Sequence, residues 1–300
     1  MRGRPAPPPT PQDVIRYFEV AGPDYAAWSP SFNMHFGCWV RGLSFLAREP
    51  MLERMNEETL ARLSANGAPP QHLADLGCGL GATARHFLRN APRSRVTGFT
   101  IVPWQVASGN RLSEEAGLRE RVELVLSDYR ATPLADASVD AACAIESACY
   151  AGGADKDDLA AEMARIVRPG GRIAVSDGFR KDSRPMNPLL RAIYRIACRS
   201  WAIEEMADVH AFEAALARRG FSDIRVEDLS WRVAPSFAHV PFLCIWFPLA
   251  RALKGDFTWK RERWQNMVGP FFGAFLGLHR WRFGYYLVSA TRMAGSGPRG

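Results

Sequence analysis

Apolar positions along the chain change their period several times, and the changes divide it. Over Asp13–Trp28 and Phe45–Ala65 they recur every three or four residues, the spacing of a helix with one buried face. Between these stretches, Ser29–Trp39 is aromatic and has no period, and Gly67-Ala-Pro-Pro70 then breaks the chain. From His72 short apolar runs alternate with helical stretches. Strands are predicted at His72–Asp75, Arg95–Thr100, Val122–Leu126, Val139–Ile145 and Arg172–Ser176. Helices are predicted at Ala82–Asn90, Pro103–Ala116 and Asp155–Arg168, the last with Asp155 as N-cap and Pro169-Gly170-Gly171 as its stop. Such alternation implies α/β architecture, a mostly parallel sheet with helices on both faces. Glu204–Arg219 reads as a further helix, and Asp223–Asp228 and Tyr285–Ala290 as the last two of seven strands.

The organisation follows. Residues 1–11, rich in Pro and Arg, read as a disordered tail, and 12–66 as an N-terminal helical cap. Residues 67–180 form the core, 181–203 a cap insertion, and 204–230 a core helix and strand. Residues 231–284 form an aromatic-rich cap insertion, too long and apolar for a plain loop, and 285–300 the last strand and tail.

The densest chemical signal is Leu73-Ala-Asp75-Leu-Gly77-Cys78-Gly79-Leu-Gly81, three alternating glycines that follow a strand and open a helix. Glycine lets a backbone turn sharply and approach a ligand closely. A dinucleotide loop spaces its glycines as G-x-G-x-x-G; here the spacing is D-x-G-x-G-x-G. An acid beside the loop suits a cation, and S-adenosylmethionine (SAM) carries a sulfonium and an amino-acid tail in place of a pyrophosphate. Thr100 and Gln105, at and just past the second strand's end, can hydrogen-bond a ribose diol without charge. Asp128, after the third strand, can accept from an adenine amine, or serve only as a turn cap; Tyr129 can flank the ring. Asp75, Gly77, Cys78, Gly79, Gly81, Thr100, Gln105, Asp128, Tyr129 and Glu146 are therefore the candidate cofactor-binding residues.

Four segments, Asp75–Gly81, Gly98–Gln105, Ala144–Tyr150 and Asp155–Gly171, together resemble class I SAM-dependent methyltransferases. The branch they are most similar to contains sterol C-methyltransferases, γ-tocopherol methyltransferases and, more distantly, cyclopropane fatty acid synthases. Phe32-Asn-Met-His-Phe-Gly37 looks like that branch's N-terminal aromatic segment. The resemblance implies a Rossmann-like core and SAM as cofactor. Methyl transfer is an in-line displacement, in which orientation and desolvation do most of the work. Glu146, closing the fourth strand, is the leading general base and equally a SAM contact. Tyr150 and His35 are the next catalytic candidates, with Asp177 and His239 behind them.

Aromatics crowd from Trp231 to Tyr286, and they imply either plain packing or an apolar chamber for a small hydrophobic acceptor of lipid or isoprenoid type. O- or N-methylation of a polar natural product is the alternative. A net charge of +7 and a pI of about 9.3 favour anionic partners. Yet Ile145-Glu-Ser-Ala148 is not the motif of base-methylating enzymes and no nucleic-acid module is appended, so no nucleic-acid partner is expected. A non-catalytic SAM-binding protein is the remaining alternative. Lys254, Lys260, Arg261 and Arg263, interleaved with Phe257, Trp259 and Trp264, read as a membrane-surface patch, a diphosphate site or a solvated helix face. Six cysteines without a C-x-x-C pair imply no metal site and a cytoplasmic setting, peripheral to a membrane at most. The longest apolar runs, Val240–Ala250 and Met267–Leu278, are shorter than the ~20 residues a spanning helix needs. Oligomeric state is not legible.

Overall fold

The computed structural model describes residues 7–64, 67–253, 255, 258 and 260–294. In chain order α1 spans Pro11–Ala21 and α2 Arg48–Ala61. The alternating core follows as β1 (His72–Leu76), α3 (Ala82–Asn90), β2 (Arg95–Thr100), α4 (Pro103–Glu115), β3 (Val122–Leu126), β4 (Val139–Ile145), α5 (Asp157–Ile166) and β5 (Val167–Arg180). Then come α6 (Pro188–Ser200), β6 (Ala207–Asp208), α7 (Val209–Arg218), β7 (Phe221–Asp228), α8 (Ser230–Phe237), α9 (Val240–Leu253), α10 (Arg261–Leu278) and β8 (Phe283–Arg292).

The sheet order is β3-β2-β1-β4-β5-β8-β7, with the two-residue β6 beside β5. Strands β1 to β5 run parallel, and β8 is antiparallel to both β5 and β7. The chain steps outward from β1 to β3, then returns to lay β4 on the other side of β1. Ligands of open α/β sheets bind at the carboxyl ends beside such a reversal. The central strands β1 and β4 and the middle of β5 read as apolar runs because both their faces are covered. Consecutive residues point to opposite faces: Leu73, Cys143 and Ala174 pack with Phe87 and Leu88 of α3, whereas Ala74, Ala142 and Val175 pack with Met163 of α5 and Phe212 of α7. Each such large side chain, wholly buried, contributes about 1.5–3 kcal/mol.

Several boundaries differ from the sequence expectation, each for a local reason. Residues 1–6 of the expected tail lie outside the described residues, but 7–11 are not a loose tail: Thr10 and Asp13 form a reciprocal capping box that starts α1. The helix expected over Asp13–Trp28 ends at Ala21, where Gly22-Pro23 begins a 3-10 turn through Ala27. That expected over Phe45–Ala65 is confined to Arg48–Ala61, and Ala65 and Asn66 lie outside the described residues. Asp155 is not the N-cap of α5; Lys156 holds that position at φ +50°, and Asp155 pairs with Arg218 instead. The helix stops at Ile166, and β5 runs through the Pro-Gly-Gly segment to Arg180 rather than spanning only Arg172–Ser176. The helix expected from Glu204 starts at Val209, after β6.

Both expected insertions are helical. α6 packs along α10, where a Cβ at Gly269 would lie 2.7 Å from Ser200 Cβ and one at Gly273 would lie 2.6 Å from the Trp201 ring. The helical stretch Ser230–Leu253, 24 residues across a short turn, is long and apolar enough by composition to cross a membrane, unlike the shorter runs counted along the sequence. Its inner side is spoken for by protein, with Val240 buried against Trp28 and Leu52 and with Leu243 and Cys244 packed beside them.

Candidate active site

The glycine loop turns the chain from β1 into α3. Gly77, Gly79 and Gly81 take φ values of +85°, +53° and +74°, a region where a Cβ is strained. A Cβ on Gly77 would sit 2.2 Å from Ser147 Cβ, so the loop is pressed against the end of β4. The Gly77 and Cys78 N–H groups donate to Phe99 O at 2.9 and 3.0 Å, tying the loop to β2. Beyond Gly79 the space is open; a Cβ there would meet only Met34 Sδ, at 3.5 Å. Gly81 does not line the cavity and acts as the hinge into α3.

Two adjoining chambers open at the carboxyl ends of the strands. The first is lined by Asp75, Gly77, Cys78, Gly79, Thr100, Gln105, Asp128 and Tyr129, with α1 and the Phe32–His35 segment opposite. Asp75 is buried; Cys143 Sγ donates to its Oδ1 at 3.7 Å, while Oδ2 has no partner. Burial pushes its carboxyl up to about 7, against the small lowering effect of the Cys143 contact. A buried, unsatisfied acid oxygen is costly, and a cationic or hydrogen-bonding ligand would relieve it. The Thr100 hydroxyl donates to Gln105 Oε1 at 2.6 Å, fixing that amide. Asp128 is engaged already: both oxygens hold Arg130, whose N–H also closes a turn on Oδ1. Burial works against its charge, but these bonds outweigh it and hold Asp128 below the usual carboxylate range. The turn-cap role read from sequence is thus present, and an adenine amine would share the carboxylate with Arg130. The Tyr129 hydroxyl donates to Ser147 O at 2.7 Å.

The second chamber is mostly apolar, walled by Trp28, Phe36, Trp201, Leu243, Phe247 and Met267 among others. Glu146, Tyr150, His35, Met34 and Phe18 face both chambers. Glu146 ends β4 at φ +49°, a left-handed conformation seldom used by non-glycine residues. The Phe36 N–H and the Tyr285 hydroxyl both donate to its Oε1, at 2.6 and 2.9 Å. Burial raises its carboxyl to about 8; the Phe36 N–H opposes that and the nearby Asp177 charge adds to it. At neutral pH Glu146 is therefore largely protonated, and a small change of environment moves its proton.

The other candidates sort by geometry. Tyr150 donates to Trp201 O at 3.0 Å, and burial holds its phenol well above its ordinary range, so it is a poor base. His35 is buried, its Nδ1 facing Phe36 O at 3.0 Å and its Nε2 facing Asn56 Oδ1 at 3.1 Å, and burial lowers its pKa despite both contacts. Asp177 lines the second chamber, with its carboxyl raised by burial to about 6 although the Cys149 and Gly178 N–H groups donate to it. His239 lies elsewhere, hydrogen-bonded to Phe45 O. Of the basic and aromatic patch, Lys254, Phe257 and Trp259 lie outside the described residues, and Arg263 is not a solvated or substrate-facing cation but a half-buried partner of Asp24. Among the described residues no three His, Cys, Asp or Glu gather as a metal would require.

Three residues were not read from the sequence as parts of this site. Ser147 backs Gly77, and its hydroxyl donates to Leu76 O. Tyr285, 139 residues from Glu146, reaches it because β8 inserts beside β5. Lys156, fully buried, donates to Ala151 O and Glu205 O at 2.8 and 2.9 Å and so fixes the turn bearing Cys149 and Tyr150. A lysine beside a predicted helix start was the only signal for it.

Comparison with known proteins bears on what the site does. Residues 74–175 match a family described as "Methyltransferase domain". The chain is 31% identical over 229 residues to a methyltransferase, phqN, of Penicillium fellutanum, covering 74% of this chain and 69% of that one. It is 26% identical over 268 residues to a probable chloroplastic tocopherol O-methyltransferase of Oryza sativa subsp. japonica, covering 84% and 69%. In fold it resembles the geranyl diphosphate C-methyltransferase of Streptomyces coelicolor A3(2), solved with Mg2+, geranyl diphosphate and S-adenosyl-L-homocysteine. That likeness has a TM-score of 0.70 at 19% identity and covers 96% of this chain and 100% of that one. The loop, the reversal of the sheet beside it and these matches converge: the chain belongs to the SAM-dependent methyltransferase family.

Proposed function

We propose that the first chamber holds SAM and that the second holds a small hydrophobic acceptor, lipid or isoprenoid in class, methylated at carbon. The observation that carries this reading is the second chamber itself. Its wall is mostly aromatic and aliphatic, and it meets the first chamber at Glu146. In the first chamber Asp75 would face the cationic end of the cofactor, Gly77–Gly79 would admit it closely, and Thr100, Gln105 and Asp128 would present polar atoms to its nucleoside. SAM supplies an electrophilic methyl group on a sulfonium. The protein orients the acceptor, excludes water, and accepts the proton released when an alkene carbon is methylated. Glu146, in its carboxylate form, takes that proton and becomes neutral; until then its negative charge, steadied by the Tyr285 hydroxyl, faces the acceptor. Aromatic faces such as Trp28 and Phe36 stabilise positive charge developing on the acceptor.

A second reading, transfer to a hydroxyl oxygen, is favoured by one observation: of the three acids that line the chamber, Asp24 is paired with Arg263, while among the described residues Glu146 and Asp177 have no cation beside them as close, and a hydroxyl acceptor needs a base. Both readings are tested by incubating the purified protein with methyl-labelled SAM and a lipid extract, then partitioning the products. Label in the organic phase, with a product stable to ether cleavage, supports C-methylation. A cleavable product supports the oxygen reading, and label confined to water overturns the hydrophobic acceptor.

A further inference from the structure

α9 carries two apolar stripes. The inner one, Val240, Leu243, Cys244 and Phe247, has the i, i+3, i+4, i+7 spacing of one helix face and lines the second chamber. The outer one, Phe242, Ile245, Trp246, Leu249 and Leu253, repeats that spacing on the opposite face. There Phe242 is 77%, Trp246 66% and Leu253 79% exposed. A helix apolar all round is ordinarily enclosed by protein or lipid, yet only 17% of this stretch's most apolar window is buried. The exposed surface extends past the helix. Phe45 and Leu46, also exposed, sit at its start, where His239 hydrogen-bonds Phe45 O at 2.8 Å. Patches of this kind mark an interaction surface.

Charge indicates the partner. Residues 231–284 hold eight Lys and Arg against two Asp and Glu; Arg232, Arg263, Arg280 and Arg282 are paired with acids elsewhere in the chain, and Lys260 and Arg261, at the start of α10, are exposed. Exposed tryptophans accompany them: the Arg280 guanidinium lies 4.2 Å over the Trp231 ring, and Trp281 follows it in the chain. Aromatic and basic side chains beside an apolar helix face are what the headgroup boundary of an anionic leaflet accommodates. We propose that this face docks on an anionic lipid bilayer, with α9 lying in the membrane plane and its outer stripe at the acyl boundary. The inner stripe stays in the protein, so the helix does not span. Docking would set the acceptor chamber's wall against the lipid, a route for an apolar acceptor; that corollary rests on the hydrophobic-acceptor reading, whereas the docking does not.

The test uses the full chain without SAM or acceptor. Vesicles of phosphatidylcholine alone, and of phosphatidylcholine mixed with phosphatidylglycerol, are floated with it. Binding to the anionic vesicles is expected to exceed that to the neutral ones by ~10-fold or more and to fall with salt. The double variant Trp246→Glu/Leu249→Glu, altered only at exposed positions, is expected to lose at least ~10-fold of that binding with an unchanged circular dichroism spectrum. Absence of flotation with any vesicle, or undiminished flotation of the variant, overturns the proposal. So does light scattering that shows a dimer of the native chain which the variant splits, since the face is then covered by a second copy.

Discussion

The glycine loop borders the first chamber and helix α9 the second, and the two are built on opposite principles. At the loop the backbone does the work: three glycines at positive φ, two N–H groups tied to Phe99 O, and Ser147 packed so close behind Gly77 that no side chain fits. At α9 the backbone is an ordinary helix and side chains do the work, one stripe shaping the second chamber and the other left exposed. The loop leaves no room for a side chain at Gly77. A helix wall can change its lining without changing its course, which suits the part of the site that selects an acceptor.

Three substitutions test that contrast, and the first should be the most damaging. Gly77→Ala forces a Cβ onto Ser147 at an already strained φ, and SAM affinity by calorimetry is expected to fall by on the order of 100-fold or more. An affinity within a few-fold of native would mean that the loop is less rigid than its geometry implies. Leu243→Trp fills the second chamber from its wall. Turnover of a hydrophobic acceptor is expected to fall ~10-fold, with SAM affinity unchanged because the first chamber is untouched; an equal loss of SAM binding would merge the two chambers. A smaller effect concerns Asp75. Burial raises its carboxyl to about 7, so the protonated form prevails below that pH and the carboxylate above it. SAM affinity is therefore expected to rise by several-fold from pH 6 to pH 8, levelling off above about 7 as deprotonation completes. Asp75→Asn should bind less tightly and show no such rise. A native affinity that is flat across this range would remove Asp75 from the cation's surroundings.

The strand and helix alternation was legible because burial on both faces writes apolar runs into β1, β4 and the middle of β5, and because glycines at fixed spacing have few other uses. The cofactor-side candidates other than Gly81 line one cavity for the same reason: each stands at or just past a strand's carboxyl end, and parallel strands bring those ends together. What stayed hidden depends on distant partners. No local pattern says that Tyr285 will reach Glu146, because that contact requires β8 to run antiparallel beside β5. Nor does a local pattern say that Lys156, rather than Asp155, turns inward to start α5. In α9, composition reports that the helix is apolar but not which stripe faces the chamber. The break at Gly22-Pro23 was written in the sequence and ended α1 earlier than its apolar period did.

The division of labour between the chambers is tested most directly at the residue they share. For Glu146→Gln, SAM affinity and methyl-transfer turnover are to be measured on the same preparation. The glutamine keeps an oxygen for the Phe36 N–H and the Tyr285 hydroxyl but cannot take a proton. Turnover is expected to fall ~100-fold or more, with SAM affinity within about threefold of native; the native rate is expected to rise toward pH 8 as Glu146 ionises, and the variant to show no such rise. A parallel loss of affinity and turnover, or a variant that turns over at the native rate, would contradict the role of Glu146 as the proton acceptor between cofactor and acceptor.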